Sequence, residues 1–162
     1  MSYSIKYSVP VDVAIEDAVD SIRKQVQSRS HRAANELRNS ALIVLRGQRS
    51  GRRYKVPGTY RKQRDKSDGK MKRGRYYTAS APGEPPAVRT GTFQKSWKTA
   101  TKADGDLYIS SIESNLMTEG GGYLLGEILE EGTDRMAPRP YVQRTLEKAE
   151  PKIHKIYSEP YD

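Results

Sequence analysis

Four carboxylates, Glu127, Glu130, Glu131 and Asp134, fall within one short stretch of the chain, and a cluster of acids is a residue set that can hold a divalent cation such as Mg²⁺. The same spacing of three and four along a helix also describes a solvated or intersubunit face. The two histidines, His31 and His154, stand far apart, and neither has Ser and Asp near it in a pattern that suggests a catalytic triad. With no Cys, disulfides, thiolate zinc sites and Cys nucleophiles are excluded. Thr90-Gly91 lacks the glycine-rich spacing of a phosphate-binding loop and the Lys-Ser or Lys-Thr that follows it. The residues read as non-enzymatic, with no catalytic residue, metal ligand or cofactor. An acid-dependent nuclease built on Glu127, Glu130 and Asp134 is the catalytic alternative.

Charge is the stronger signal. The formal net charge is +9, yet residues 46–75 hold 13 Lys and Arg against Asp65 and Asp68, and the rest of the chain holds 16 against 18 acids. The body is therefore near neutral and the basicity belongs to an arm. Its carriers are Arg52, Arg53, Lys55, Arg61, Lys62, Arg64, Lys72, Arg73 and Arg75, with Tyr54, Tyr60, Tyr76 and Tyr77 placed to stack or pack. Such an arm can meet DNA phosphates through sequence-independent contacts, or an acidic neighbouring protein. A solvated loop is the bland reading. Protein docking is favoured for the tip, because a ribbon gains order by pairing with another chain.

The elements that must carry these residues follow from periodicity. Between residues 12 and 46 apolar side chains recur at Ile15, Val19, Ile22, Val26, Ala33, Leu37, Ala41 and Val44, the spacing of one helical stripe, with Asp12 as N-cap and Gly47 as stop. At 1.5 Å per residue this helix is on the order of 50 Å long, so it should overhang the body or lean on a neighbour. Residues 27–32 have no apolar side chain and mark a site for a kink or break. Residues 52–56 and 72–78 suggest a two-stranded ribbon within a protruding arm, 48–79. The connector 80–87 holds Pro82, Pro85 and Pro86, which exclude helix and central strand and make it a shape element.

Beyond the connector, Thr90 is expected to cap a short helix through Trp97, with Phe93 and Trp97 on one face. Two strands, 98–102 and 107–112, flank a turn. A helix over 123–131 ends at Gly132, and a last helix over 141–157 carries Val142, Leu146, Ala149, Ile153 and Ile156 as its stripe, with Pro151 kinking it or starting another. Pro140 would be its first-turn residue, Tyr141 its core anchor, and Arg139 a partner for Glu130 or Glu131. The expected class is α+β: a long N-terminal helix, a small antiparallel sheet with an extended basic hairpin arm, and short helices and a C-terminal helix packed on the sheet. One domain is expected over 1–162. About 36 % apolar content, on a scale where domains average roughly 45–50 %, makes the core thin; a thin core can be completed against neighbouring subunits or reflect a segment that never packs, and both are expected here.

Three stretches, in this order, resemble the phage family of HK97-type tail-completion proteins, also called minor tail or head-tail joining proteins. The first is Ser80-Ala81-Pro82-Gly83-Glu84-Pro85-Pro86-Ala87-Val88-Arg89-Thr90-Gly91-Thr92-Phe93-Gln94-Lys95-Ser96. The second runs from Tyr123 to Leu129-Glu130-Glu131-Gly132-Thr133, and the third is Arg139-Pro140-Tyr141-Val142. Phe93 and Tyr141 depart from the family's Leu and Phe, and the basic arm is longer than the family leads one to expect.

The resemblance implies a structural subunit of the phage neck or upper tail, closed with copies of itself into a ring, six being the expected number. The ring would sit between the head connector or stopper and the tail tube or terminator protein. Contact with genomic DNA would be transient and non-specific. No membrane role is expected: residues 1–10 lack a signal-peptide core, and the longest apolar run, residues 41–45, is far short of the roughly 20 that span a bilayer. The product would be made in the bacterial cytoplasm and end in the virion. A basic nucleic-acid-binding module, monomeric or dimeric, is the alternative from a different class.

Overall fold

A computed structural model of the protein describes residues 11–56, 59, 63–64, 71–72, 74–105 and 107–161, and the fold is α+β. Helix α1, Val11–Arg46, is 36 residues long, about 54 Å at 1.5 Å per residue. It begins one residue before Asp12, which therefore lies inside its first turn and is not its cap. The last carbonyls are taken by a side chain from beyond its end: Arg49 Nη2 donates to Val44 O at 2.8 Å and Leu45 O at 3.2 Å.

The polar stretch 27–32 does not break this helix. Arg29 and Ser30 are buried there: Arg29 Nη2 donates to Pro160 O, Ser30 O accepts from Ser110 Oγ at 2.7 Å, and Arg29 stacks on Tyr161 at 3.8 Å from the ring centroid. Polarity here marks a crossing point between elements, where Arg29 and Ser30 meet the C-terminal segment and the strand Leu107–Glu113.

Strands β1, Arg53–Lys55, and β4, Tyr76–Thr78, pair antiparallel, with Arg53 opposite Thr78 and Lys55 opposite Tyr76. Farther out β2, Gln63–Arg64, pairs with β3, Met71–Lys72. These four strands form the expected ribbon and do not join the third pair, β5, Lys98–Asp104, with β6, Leu107–Glu113. Gly51 lets the ribbon's base close, since a Cβ there would lie 2.5 Å from Ala79 O.

Helix α2, Thr92–Lys95, is shorter than expected, and its N-cap is Gly91 at φ 84°, not Thr90. The Thr90 hydroxyl instead meets the Thr92 hydroxyl at 2.9 Å. Helix α3, Leu125–Glu131, ends at Gly132, and α4, Val142–Tyr157, runs as one helix through Pro151.

Helix α4 packs along α1, and α1 in turn covers the β5–β6 hairpin, so the C-terminal helix lies mainly on the long helix and not on the sheet. Its buried residues are Thr145 and Ala149, whereas Val142 and Leu146 of the expected stripe are exposed. On α1 most of the buried residues are likewise small, Ser30, Ala33, Ala34, Ser40 and Ala41, with Arg29 and Leu45 the two large ones. Small side chains let helices approach closely. The core proper is Leu45, Trp97 and Tyr141, with Val44, Phe93, Ile112 and Leu129 packed against it.

Candidate functional site

The residues singled out in the sequence divide into two sites. The first is a junction where the three resembling stretches meet. Phe93, Trp97 and Tyr141 form a ring of mutual edge-to-face contacts, with centroids 5.5, 5.7 and 5.9 Å apart and interplanar angles of 69°, 82° and 71°. Each such pair adds about 0.5–1.5 kcal/mol beyond burial. Tyr141 is 4 % exposed, and its hydroxyl donates to Gly126 O of α3 at 3.2 Å. Burial, then the charges of Glu130 and Glu127, push its pKa up to about 12, so it remains a neutral donor.

Arg139 does not pair with Glu130 or Glu131. Its Nη1 donates to Ser80 O at 2.7 Å and to the Ser80 hydroxyl, while its own backbone N–H donates to Leu129 O at 2.8 Å. Glu130 is engaged elsewhere: Oε2 accepts from the N–H groups of Tyr141 at 2.8 Å and Val142 at 3.2 Å. A carboxylate from α3 thus caps α4, where the exposed amides and the helix dipole favour negative charge. Pro140 sits before the N-cap residue Tyr141 and is not the first helical residue.

Gly132, at φ 82°, turns the chain beneath this junction; a Cβ would lie 2.6 Å from Met136 O and 2.8 Å from Pro138 N. Thr133 bridges Met136 by backbone hydrogen bonds in both directions. Pro85 and Pro86 are buried and Pro82 is exposed.

Glu84, which the sequence did not single out as a site residue, joins the connector to the base of the ribbon. Its carboxylate accepts from Ser50 Oγ at 2.6 Å, Ser50 N at 3.1 Å and Ala81 N at 2.9 Å. The Ser50 hydroxyl first, then the Ala81 and Ser50 amides, hold its pKa down at about 2. Arg49, which also reaches Pro86 O at 3.1 Å, completes the clasp. A Glu between Gly and Pro in a connector is a weak cue, and its partners are invisible without the fold.

The second site is the ribbon. Arg52, Arg53, Tyr54, Lys55 and Arg75 are exposed along it. Cross-strand pairing puts Tyr54 with Tyr77 on one face, rings 6.0 Å apart. On the other, Tyr76 lies between two cations, Arg53 at 4.7 Å and Lys55 at 5.9 Å from its centroid. Arg64 and Lys72 lie on the β2 and β3 backbones, and Tyr60, Arg61, Lys62 and Arg73 lie outside the described residues.

The acidic cluster does not converge. Glu127, Glu131 and Asp134 are exposed, Glu130 is a cap, and among the described residues no three His, Cys, Asp or Glu side chains are grouped to hold an ion. His31 is exposed on α1, and His154 Nδ1 lies 3.2 Å from Ser158 Oγ. Among the described residues no helix is long and apolar enough to cross a membrane.

A third feature was foreshadowed only as an overhang. The N-terminal half of α1 exposes Val13, Ile15, Val19 and Ile22, with Ile15 at 57 %, and the hairpin exposes Leu107 and Ile109. An open groove between α1 and the β5–β6 turn is lined by Val19, Ile22, Arg23, Val26, Gly105 and Tyr108. The chain matches no protein-family model, no curated protein and no solved structure.

Proposed function

We propose that this protein is a non-enzymatic structural subunit of the neck or upper tail of a tailed bacteriophage, closed with copies of itself into a ring between the head connector and the tail tube. The observation that carries an assembly role is the bare apolar stripe of α1. Ile15, Val19 and Ile22 follow one helical face, and contiguous apolar surface of this kind marks a contact with another protein. The small core around Leu45, Trp97 and Tyr141 fits a chain that completes its burial against neighbours.

The phage setting rests on the resemblance of residues 80–96, 123–133 and 139–142. Their parts act here as structural pieces of one junction: a connector clasped by Glu84, an aromatic ring of three, and a glycine turn. None of these presents a reactive group, in keeping with a scaffold.

The test is the solution mass of the full chain by light scattering, at low and high salt, alone and with candidate connector or tail-tube proteins. A closed oligomer, alone or on mixing, is the expected result. A chain that stays monomeric with every such partner would remove the reading.

The Arg53–Tyr76–Lys55 face favours a second reading, a nucleic-acid-binding module, since cations beside an exposed ring suit phosphate contact and base stacking. It predicts a monomer or dimer whose DNA affinity falls steeply with salt.

A further inference from the structure

The two exposed surfaces of this chain are complementary. Residues 13–22 carry Glu16, Asp17 and Asp20 and no Lys or Arg, and all three acids are exposed beside the apolar stripe. The described part of the ribbon, residues 51–56 and 74–79, carries Arg52, Arg53, Lys55 and Arg75 and no acid, again all exposed. Each patch sets apolar surface beside charge, acidic over residues 13–22 with exposed Arg23 and Lys24 at its edge, and basic on the ribbon: Val19 is 40 % exposed on the first and Tyr76 is 48 % exposed on the second.

The patches sit at opposite ends of α1. The ribbon follows Arg46 in the chain, and Val19 lies 27 residues earlier in the same helix, about 40 Å along its axis. Elements that touch α1 broadly within the chain are α4, β5 and β6, not the ribbon. A contact between the two patches therefore joins one copy to the next, head to tail, the kind of contact that builds a ring where its rotation closes.

We infer that the basic ribbon of one copy docks on the acidic apolar half of α1 of its neighbour, with the Tyr76 ring entering the groove between α1 and the β5–β6 turn. Val19, Ile22, Val26 and Tyr108 supply an apolar wall for the ring, and Gly105 leaves the rim low. Arg53 and Lys55, flanking Tyr76, then reach Glu16, which lies three residues from Val19 on the groove side of the helix. Arg23, at the groove wall, lies 3.7 Å from Asp20 and is screened from the incoming cations by it. Pairing α1 with a second α1 would bring these acids against themselves, and like charges across an interface oppose association.

This inference rests on the self-assembly reading above. The absence of native Cys makes a clean test available. Full-length V19C and Y76C are each exposed-site substitutions, and their mixture is expected to give a disulfide-linked dimer that neither forms alone. The charge reversals E16K/D17K/D20K and R52E/R53E/K55E should each weaken association by roughly a hundredfold or more, and mixing the two reversed variants should restore it. Thermal melts of all variants verify that the fold is kept.

A wild type that assembles while the Cys pair stays unlinked would overturn the docking and leave the ring reading standing. A linked Cys pair together with a wild-type mass that grows without closing would keep the docking and remove the ring. If R52E/R53E/K55E keeps its oligomeric mass and loses only duplex-DNA binding, the ribbon is a nucleic-acid face and the inference falls.

Discussion

Arg139 reaches back 59 residues to Ser80, its guanidinium bonded to both the backbone carbonyl and the hydroxyl of a residue that is only 6 % exposed. That contact ties the start of the connector to the entry of α4, and together with Gly83 N–H donating to Pro138 O at 3.0 Å it makes the two segments one unit. Arg139→Ala should destabilise the fold by about 1.5–3 kcal/mol, the usual worth of a bond to a charged group. Arg139→Lys should recover part of this. Urea unfolding of the two variants measures it, and a loss under about 0.5 kcal/mol would mean the contact is idle.

Glu84 makes stability depend on acid. Its folded pKa of about 2 is below the ordinary 4.5, so its contribution is fully present above the ordinary value and is lost as pH falls from there toward 2. Glu159, held down by its hydrogen bond from Arg32, acts in the same direction. Melting temperatures between pH 6 and 2 should therefore fall for the wild type and fall less for Glu84→Gln. Parallel curves for the two would contradict the clasp.

Gly132 is needed for its backbone. Gly132→Ala combines a left-handed φ with a Cβ 2.6 Å from Met136 O, and should cost about 2 kcal/mol or more. Gly122, with nothing within 4 Å of a built Cβ, is the control and should tolerate Ala. Equal melts for both variants would refute the assignment.

Glu130 and Glu131 are neighbours with different duties. Glu130→Ala removes the acceptor that caps α4 at Tyr141 and Val142 and should cost about 1–2 kcal/mol. Glu131→Ala, at an exposed position, should stay within about 0.5 kcal/mol of wild type. Denaturation midpoints of the pair distinguish them.

Deleting residues 52–73 should leave a cooperative melt, because Leu45, Trp97 and Tyr141 lie elsewhere and Val56 is the one residue of β1 and its flanks that is buried. Assembly should be lost. A deletion product without a cooperative transition would show that the ribbon belongs to the core.

Much of this architecture was legible because it is local. The three-and-four spacing from Ile15 to Val44 predicts α1, the basic, core-poor stretch after it predicts the ribbon, and Gly132 predicts the end of α3. Gly105 with Asp106, of which only Gly105 is among the described residues, marks the turn of the β5–β6 hairpin. The α+β class follows from those elements alone.

What only the tertiary structure decided was which partners meet. Apolar periodicity on α4 predicts Val142, Leu146, Ala149, Ile153 and Ile156 as its stripe; Ala149 is buried and Ile153 and Ile156 are half-buried, but Val142 and Leu146 are exposed and Thr145, outside the stripe, is buried with its hydroxyl on Tyr141 O. The polar residues 27–32 looked like a break because their hydrogen-bond partners, Ser110 and Pro160, are distant in the chain. Arg139 had carboxylates nearby in sequence and chose Ser80, and Glu130 was drawn to the α4 amides. Local spacing fixes periodicity and backbone freedom; polar pairing depends on proximity in space, which a linear sequence does not carry.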